Sequence, residues 1–102
     1  MTDIAKFRRE FMRWIILLTL NNARPMGALD NQVLTVSRAE FPDATLLELR
    51  RELDYLKERM LIAIRLPPDG GAWRCELTRH GIDVAEYTID CEPGIARPDK
   101  YW

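Results

Sequence analysis

The stretch TLLELRRELDYLKERMLIAIRL, residues 45–66, changes period part-way along, and that change decides the fold. Leu46, Leu49, Leu53, Leu56 and Met60 follow one another at alternating spacings of three and four. They form one apolar stripe over about four helical turns. Thr45 and Glu48 stand three residues apart at its start, the pattern of a capping box, with Asp43 as a competing cap. After Met60 the period becomes two. Ile62, Ile64 and Leu66 alternate with Ala63 and Arg65, which predicts a half-buried strand.

Outward from this stretch, Pro67-Pro68-Asp69-Gly70-Gly71 predicts a tight turn. Trp73, Cys75 and Leu77 then alternate with Arg74, Glu76 and Thr78, so the two alternating runs make a β-hairpin. A short helix is expected from Thr78 to about Tyr87, weakened by Gly81 in its interior. Towards the N-terminus, a helix is expected from Asp30, as its N-cap, to about Glu40, where Phe41-Pro42 stops it.

The first helix is expected from Asp3 to about Asn22, with Ile4, Phe7, Phe11, Trp14, Ile15 and Leu18 at three- and four-residue spacing. Its second half is apolar all round, because Ile16, Leu17 and Leu20 stand where a solvated helix should be polar. Such a helix needs cover on every side, from the rest of the domain or from a second subunit. We expect Ile16, Leu17 and Leu20 to meet a dimer partner. The segment from Ile89 to Trp102 contains Pro93-Gly94 and Pro98, which predict an extended tail. Its Ile95, Tyr101 and Trp102 should pack on the domain or on a neighbour.

The chain of 102 residues is 47% hydrophobic and 30% charged, a composition suited to one small globular domain. Its 15 cations against 16 anions exclude a strongly basic nucleic-acid binder and an acidic solvated tail. Residues 1–65 carry a net +2 and residues 66–102 a net −3. Cys75 and Cys91 are too few for a disulfide framework, and with His80, the one histidine, they give three ligands at an unfamiliar zinc spacing. No metal, cofactor or catalytic residue is expected, since no nucleophile–base pattern or Gly-rich phosphate loop occurs. The longest apolar run, Trp14 to Leu18, is far short of the roughly 20 residues that span a bilayer. The N-terminal segment shows no secretory signal pattern. A cytoplasmic, α+β protein is the expectation.

The order helix, helix, helix, strand, turn, strand, helix resembles a winged helix-turn-helix domain over roughly residues 4–88. Residues 46–56 look like its third helix, and Trp73-Arg74-Cys75-Glu76-Leu77-Thr78-Arg79-His80-Gly81 is similar to its second wing strand running into a Leu-Thr-x-x-Gly helix start. On this likeness residues 1–88 form the domain and 89–102 the tail. The tail sequence from Asp90 to Pro98 resembles the ending of small uncharacterised proteins of Mu-like transposable phages, which implies expression in a bacterial host cell.

The resemblance implies double-stranded DNA as partner, with the third helix in the major groove and the wing on the backbone. That requires cations for phosphates and a few side chains at base edges. Arg38, Thr45, Arg50, Arg51, Arg65 and Arg74 are the expected contacts, with Arg51 the foremost. Against it, the helix face opposite the leucine stripe also carries Glu48, Asp54 and Glu58, and Arg51 could simply pair with Asp54 or Glu58. A dimeric phage regulator is therefore one expectation. A winged-helix module that binds a phage or host protein, without DNA, is the other.

Overall fold

Asp3 starts the first helix by accepting the Lys6 backbone N–H on its Oδ1 at 3.0 Å. The computed structural model describes residues 3–102. The elements are α1 (Ile4–Asn22), β1 (Ala28–Leu29), α2 (Asp30–Ser37), α3 (Leu46–Glu58), β2 (Ile62–Arg65), β3 (Arg74–Leu77) and α4 (Arg79–Ala85). The architecture among the described residues is α+β: four helices and one antiparallel sheet in the order β1-β3-β2.

α1 is the central helix, packed on α2, α3, α4 and β3. Ile16, Leu17 and Leu20 are each 0% exposed, so the chain itself encloses the all-apolar half of the helix. The expectation that these three residues meet a dimer partner is corrected here. Intramolecular helices and a strand supply the cover that the apolar pattern demanded.

The hairpin has the expected strands, in a register that sets Ile62 opposite Leu77 and Arg65 opposite Arg74. Leu66 falls beyond β2 and is exposed. The sheet has one strand more than the sequence suggested, because Ala28 and Leu29 pair with Cys75 and Arg74 on the other edge of β3. Gly27 makes that approach possible. Its φ is +73°, and a Cβ there would stand 2.5 Å from the Cys75 carbonyl oxygen. The Asp30 N–H then donates to the Trp73 carbonyl at 2.8 Å, which extends the contact into α2.

α2 begins one residue earlier than expected. Leu29 is its N-cap, with its N–H donating to Gln32 Oε1 at 2.8 Å, and Asp30 is the first helical residue. α3 follows the leucine stripe as far as Leu56 and then departs from it. Met60 is exposed with φ +63°, while Leu61 is fully buried. The Leu61 N–H donates to the Leu56 carbonyl and the Met60 N–H to the Lys57 carbonyl, the paired bonds of a Schellman ending. Left-handed Met60 thus turns its side chain to solvent and hands its core position to Leu61.

The same motif ends α4, where Thr88 donates to Asp83, Tyr87 donates to Val84, and Tyr87 has φ +61°. Gly81, which weakens an isolated helix, is required here. α4 lies so close to the β2 entry that a Cβ at Gly81 would collide with the Leu61 carbonyl. The Thr78 hydroxyl both caps α4 through the Gly81 N–H and donates to the Met60 carbonyl at 2.7 Å.

The tail packs on its own domain as far as Pro98, but Tyr101 and Trp102, expected to pack as well, are 90% and 66% exposed. Ile95 joins the core, the Ala96 N–H donates to the Glu10 carbonyl, and the Tyr87 hydroxyl donates to the Pro98 carbonyl at 2.7 Å. Arg97 donates to the carbonyls of Val84 and Ile89 while its guanidinium covers the Tyr87 ring.

Candidate nucleic-acid interface

α2, the turn through Phe41, α3 and the β2–β3 hairpin form one side of the molecule, and Arg50 ties them together. Its guanidinium meets Asp30 Oδ2 through two nitrogens, each at 2.8 Å, and lies 4.6 Å over the Trp73 ring. A third contact reaches the Gly71 carbonyl in the hairpin loop at 3.4 Å. Asp30 is 1% exposed, so its charge depends on this partner. Arg50, one of the expected DNA contacts, is held here as a strut that seats the hairpin beside α3.

The other expected contacts are placed as follows. Thr45 is the N-cap of α3, its hydroxyl accepting the Glu48 N–H at 3.1 Å. The reciprocal half of the capping box is absent, because the Glu48 carboxylate is taken by Arg8 in a bidentate pair at 2.6 and 2.9 Å. Arg8 also pairs with Asp43 at 2.9 Å. These hydrogen bonds raise the Arg8 pKa, and the Arg8 guanidinium holds the Asp43 carboxyl below the usual carboxylate range. Arg38 donates to the Ala44 carbonyl at 2.9 Å and closes the turn between α2 and α3.

Arg65 and Arg74 stand directly opposite each other on the hairpin, both exposed. Like charges in that arrangement repel unless each finds a partner. Arg65 lies 3.5 Å from Glu76, and Arg74 donates to the Met26 carbonyl at 3.1 Å. Arg51 is exposed and makes no ion pair or hydrogen bond among the described residues. Its outward neighbours on α3 are Leu47, Asp54 and Glu58, all exposed.

Two buried ionic links have no counterpart in the sequence analysis. The first is Arg50 with Asp30. The second joins α1, α3 and the tail: Arg13 Nε donates to Glu52 at 2.7 Å, its Nη1 donates to the Gly94 carbonyl at 2.8 Å, and its guanidinium covers the Tyr55 ring at 3.5 Å. Glu52 is 5% exposed. A signal for it exists in the sequence: Glu48 and Glu52 are four residues apart beside the leucine stripe, as expected for acids meeting the cations of a neighbouring helix.

The concavities offer little chemistry. The larger, about 950 Å³, is lined by the tail from Tyr87 to Lys100, and a second of about 540 Å³ lies between α1, α3 and Pro93–Ile95. Burial pushes the Cys75 thiol up to about 12, with the Asp30 charge adding to it, and burial also raises the Cys91 thiol. Neither is an activated nucleophile. No cluster of three or more metal-ligating side chains occurs among the described residues.

Comparison with protein-family models, with curated proteins and with solved structures returned no match to this chain. Among the described residues, no helix is long and apolar enough to cross a membrane.

Proposed function

We propose that the chain is a winged helix-turn-helix domain that binds double-stranded DNA as a phage- or prophage-encoded transcriptional regulator in the cytoplasm of a bacterial host. The observation that carries this reading is the Arg50 strut. By joining α3 to Asp30, Trp73 and Gly71, it presents the α3 N-terminal half and the hairpin as one rigid surface. That surface offers unpaired Arg51 for a base edge or phosphate, and exposed Arg65 and Arg74 for the flanking backbone. Withdrawal of Glu48 to Arg8 supports the reading, since it takes one acid off the groove-facing side. With Arg38, these make about four phosphate contacts per chain, hence modest affinity that falls steeply with salt. Pairing of two copies doubles that number.

The test is a titration of labelled duplex DNA by fluorescence anisotropy at several salt concentrations. Binding that weakens with a log–log slope of about −0.9 per contact supports the proposal. Absence of binding to any duplex at low salt overturns it.

One observation favours a second reading, a protein-interaction module. Asp54 and Glu58 remain outward on α3 beside exposed Leu47, a mixture that suits a protein surface better than a phosphate backbone. Under that reading DNA binding is absent, and Leu47→Glu removes capture of the protein partner.

A further inference from the structure

The concavity between α1, α3 and Pro93–Ile95 holds no reactive group, but its lining is cationic. Lys6, Arg9, Glu10 and Arg13 span two turns of α1 at helical spacing and share one face of it. Arg59, the C-cap of α3, comes from the opposite wall, one turn beyond Tyr55. Four cations therefore converge on a recess of about 540 Å³, and Glu10 is the one acid in its lining.

Two of these cations are built into the fold. The Arg13 side chain is 11% exposed and is held by Glu52 at 2.7 Å and by the Gly94 carbonyl at 2.8 Å. Arg59 Nη1 donates to Glu92 at 2.8 Å. Both guanidiniums lie against the Tyr55 ring, at 3.5 and 4.7 Å from its centroid. Arg59 Nε and the Tyr55 hydroxyl make no hydrogen bond among the described residues, so both keep donors to offer. Lys6 and Arg9 are exposed, and their side chains make no ion pair or hydrogen bond among the described residues. The site thus has a fixed floor and a mobile cationic rim.

We propose that this recess binds a small phosphorylated molecule by its phosphate groups. With Glu52 and Glu92 counted behind the arginines, four cations still face three acids, so the charge calls for an anion. Glu10 sets the valence of that anion. A single carboxylate gains little beside an acid already present, whereas a phosphate with about two charges is still drawn in. Donors that arrive from two helices in different directions also suit a tetrahedral phosphate better than a planar carboxylate. The Tyr55 ring is already taken by guanidiniums, so recognition rests on phosphate and not on a stacked base. The wall at Pro93–Ile95 makes a recess instead of an open face, which fits a small molecule and not a duplex. The site is independent of the DNA reading, since it uses none of Arg51, Arg65 and Arg74.

Titration calorimetry of the full chain with inorganic pyrophosphate at low, constant ionic strength tests the site, with chloride as the control anion. The expected result is saturable binding of one pyrophosphate per chain. Lys6→Ala/Arg9→Ala should weaken it about tenfold with an unchanged unfolding midpoint, because both side chains are exposed and hold nothing. Glu10→Gln should tighten it, and Arg51→Ala should leave it as in the wild type. No saturation by ~10 mM pyrophosphate overturns the proposal. So does normal binding by Lys6→Ala/Arg9→Ala, or an equal loss in Arg51→Ala, which would mark general attraction to a cationic surface. Duplex DNA measured by anisotropy separates the two sources of phosphate. If Lys6→Ala/Arg9→Ala weakens duplex binding while pyrophosphate does not bind, the cations serve a DNA backbone and the small-molecule site is overturned.

Discussion

Arg50 and Asp30 are twenty residues apart in sequence and meet at 2.8 Å, with the carboxylate almost wholly enclosed. The pair sits where the first turn of α2, the second turn of α3 and the base of the hairpin loop converge. A buried carboxylate with one cationic partner cannot lose that partner cheaply, because desolvation of the remaining charge is no longer offset. Arg50→Ala is expected to destabilise the domain by about 2–4 kcal/mol in urea unfolding, and Arg50→Ala/Asp30→Asn by less. A double variant as unstable as the single one would show that the pair does not hold the hairpin.

Arg13 makes the sharper case. On a helical wheel it belongs with Lys6 and Arg9 on a solvated face, where truncation costs within about 0.5 kcal/mol. In the fold it neutralises buried Glu52, supports the Gly94 carbonyl of the tail and covers Tyr55. Arg13→Ala is expected to cost about 3 kcal/mol or more, and Arg9→Ala close to nothing. Thermal unfolding of the two variants side by side separates them.

Met60 and Tyr87 occupy equivalent left-handed positions at two helix ends and should answer differently to glycine. Met60 is exposed and holds nothing, so Met60→Gly relieves backbone strain and is expected to stabilise by about 1 kcal/mol. Tyr87 packs on Trp14 and Trp102 and holds Pro98 and Arg97, so Tyr87→Gly is expected to destabilise and to release the tail to proteolysis. Equal responses would remove the distinction.

The Cys75 thiol gives the fold a pH limit at the alkaline side. Its ordinary value of 9.0 rises to about 12 because burial disfavours the thiolate. A raised folded value means that the contribution is whole below pH 9 and disappears as pH climbs through about 12. Stability should therefore decline across that window, and Cys75→Ala should flatten that decline while lowering stability at pH 7 through the cavity it leaves. At pH 8 folded Cys75 should resist alkylation, which mass spectrometry of the modified peptide would read directly.

For DNA binding, Arg51 and Arg50 are neighbours with opposite roles. Arg51→Ala should weaken binding and reduce the salt slope by about 1, leaving the unfolding midpoint unchanged. Arg74→Ala should act in the same direction. Arg50→Lys should chiefly lower stability, since an ammonium reproduces neither the bidentate pair nor the stacking on Trp73. A salt slope insensitive to Arg51 would remove it from the interface.

Much of the α+β layout was legible because its signals are local. The change of period after residue 60, the Thr45 cap and the Pro-Gly turn act within a few residues of themselves, and α3 and the hairpin follow from them, as α1 follows from its own three- and four-residue spacing. β1 was not legible. Two residues carry no periodicity, and Ala28–Leu29 is a strand only because Gly27 lets it approach β3. Met60 misled for a related reason. It continues the spacing of the leucine stripe, but a left-handed ending rotates the next residue, Leu61, into the core instead.

The candidate site divides in the same way. Residue types and spacing identified the cations of α3 and the hairpin, and they marked Ile16, Leu17 and Leu20 as needing complete cover. Only the tertiary structure decided that the cover is intramolecular, that Arg50 is bound to Asp30 and that Arg51 is free. Periodicity states how much of a helix must leave water, and charge states which groups want partners. Neither specifies which distant segment meets the demand, because that depends on how helices pack once the core has closed. By its sequence this chain is a small α+β domain whose third helix carries Arg50, Arg51 and Lys57 among four acids; by its fold, all but one of the six expected DNA contacts already have partners within the protein.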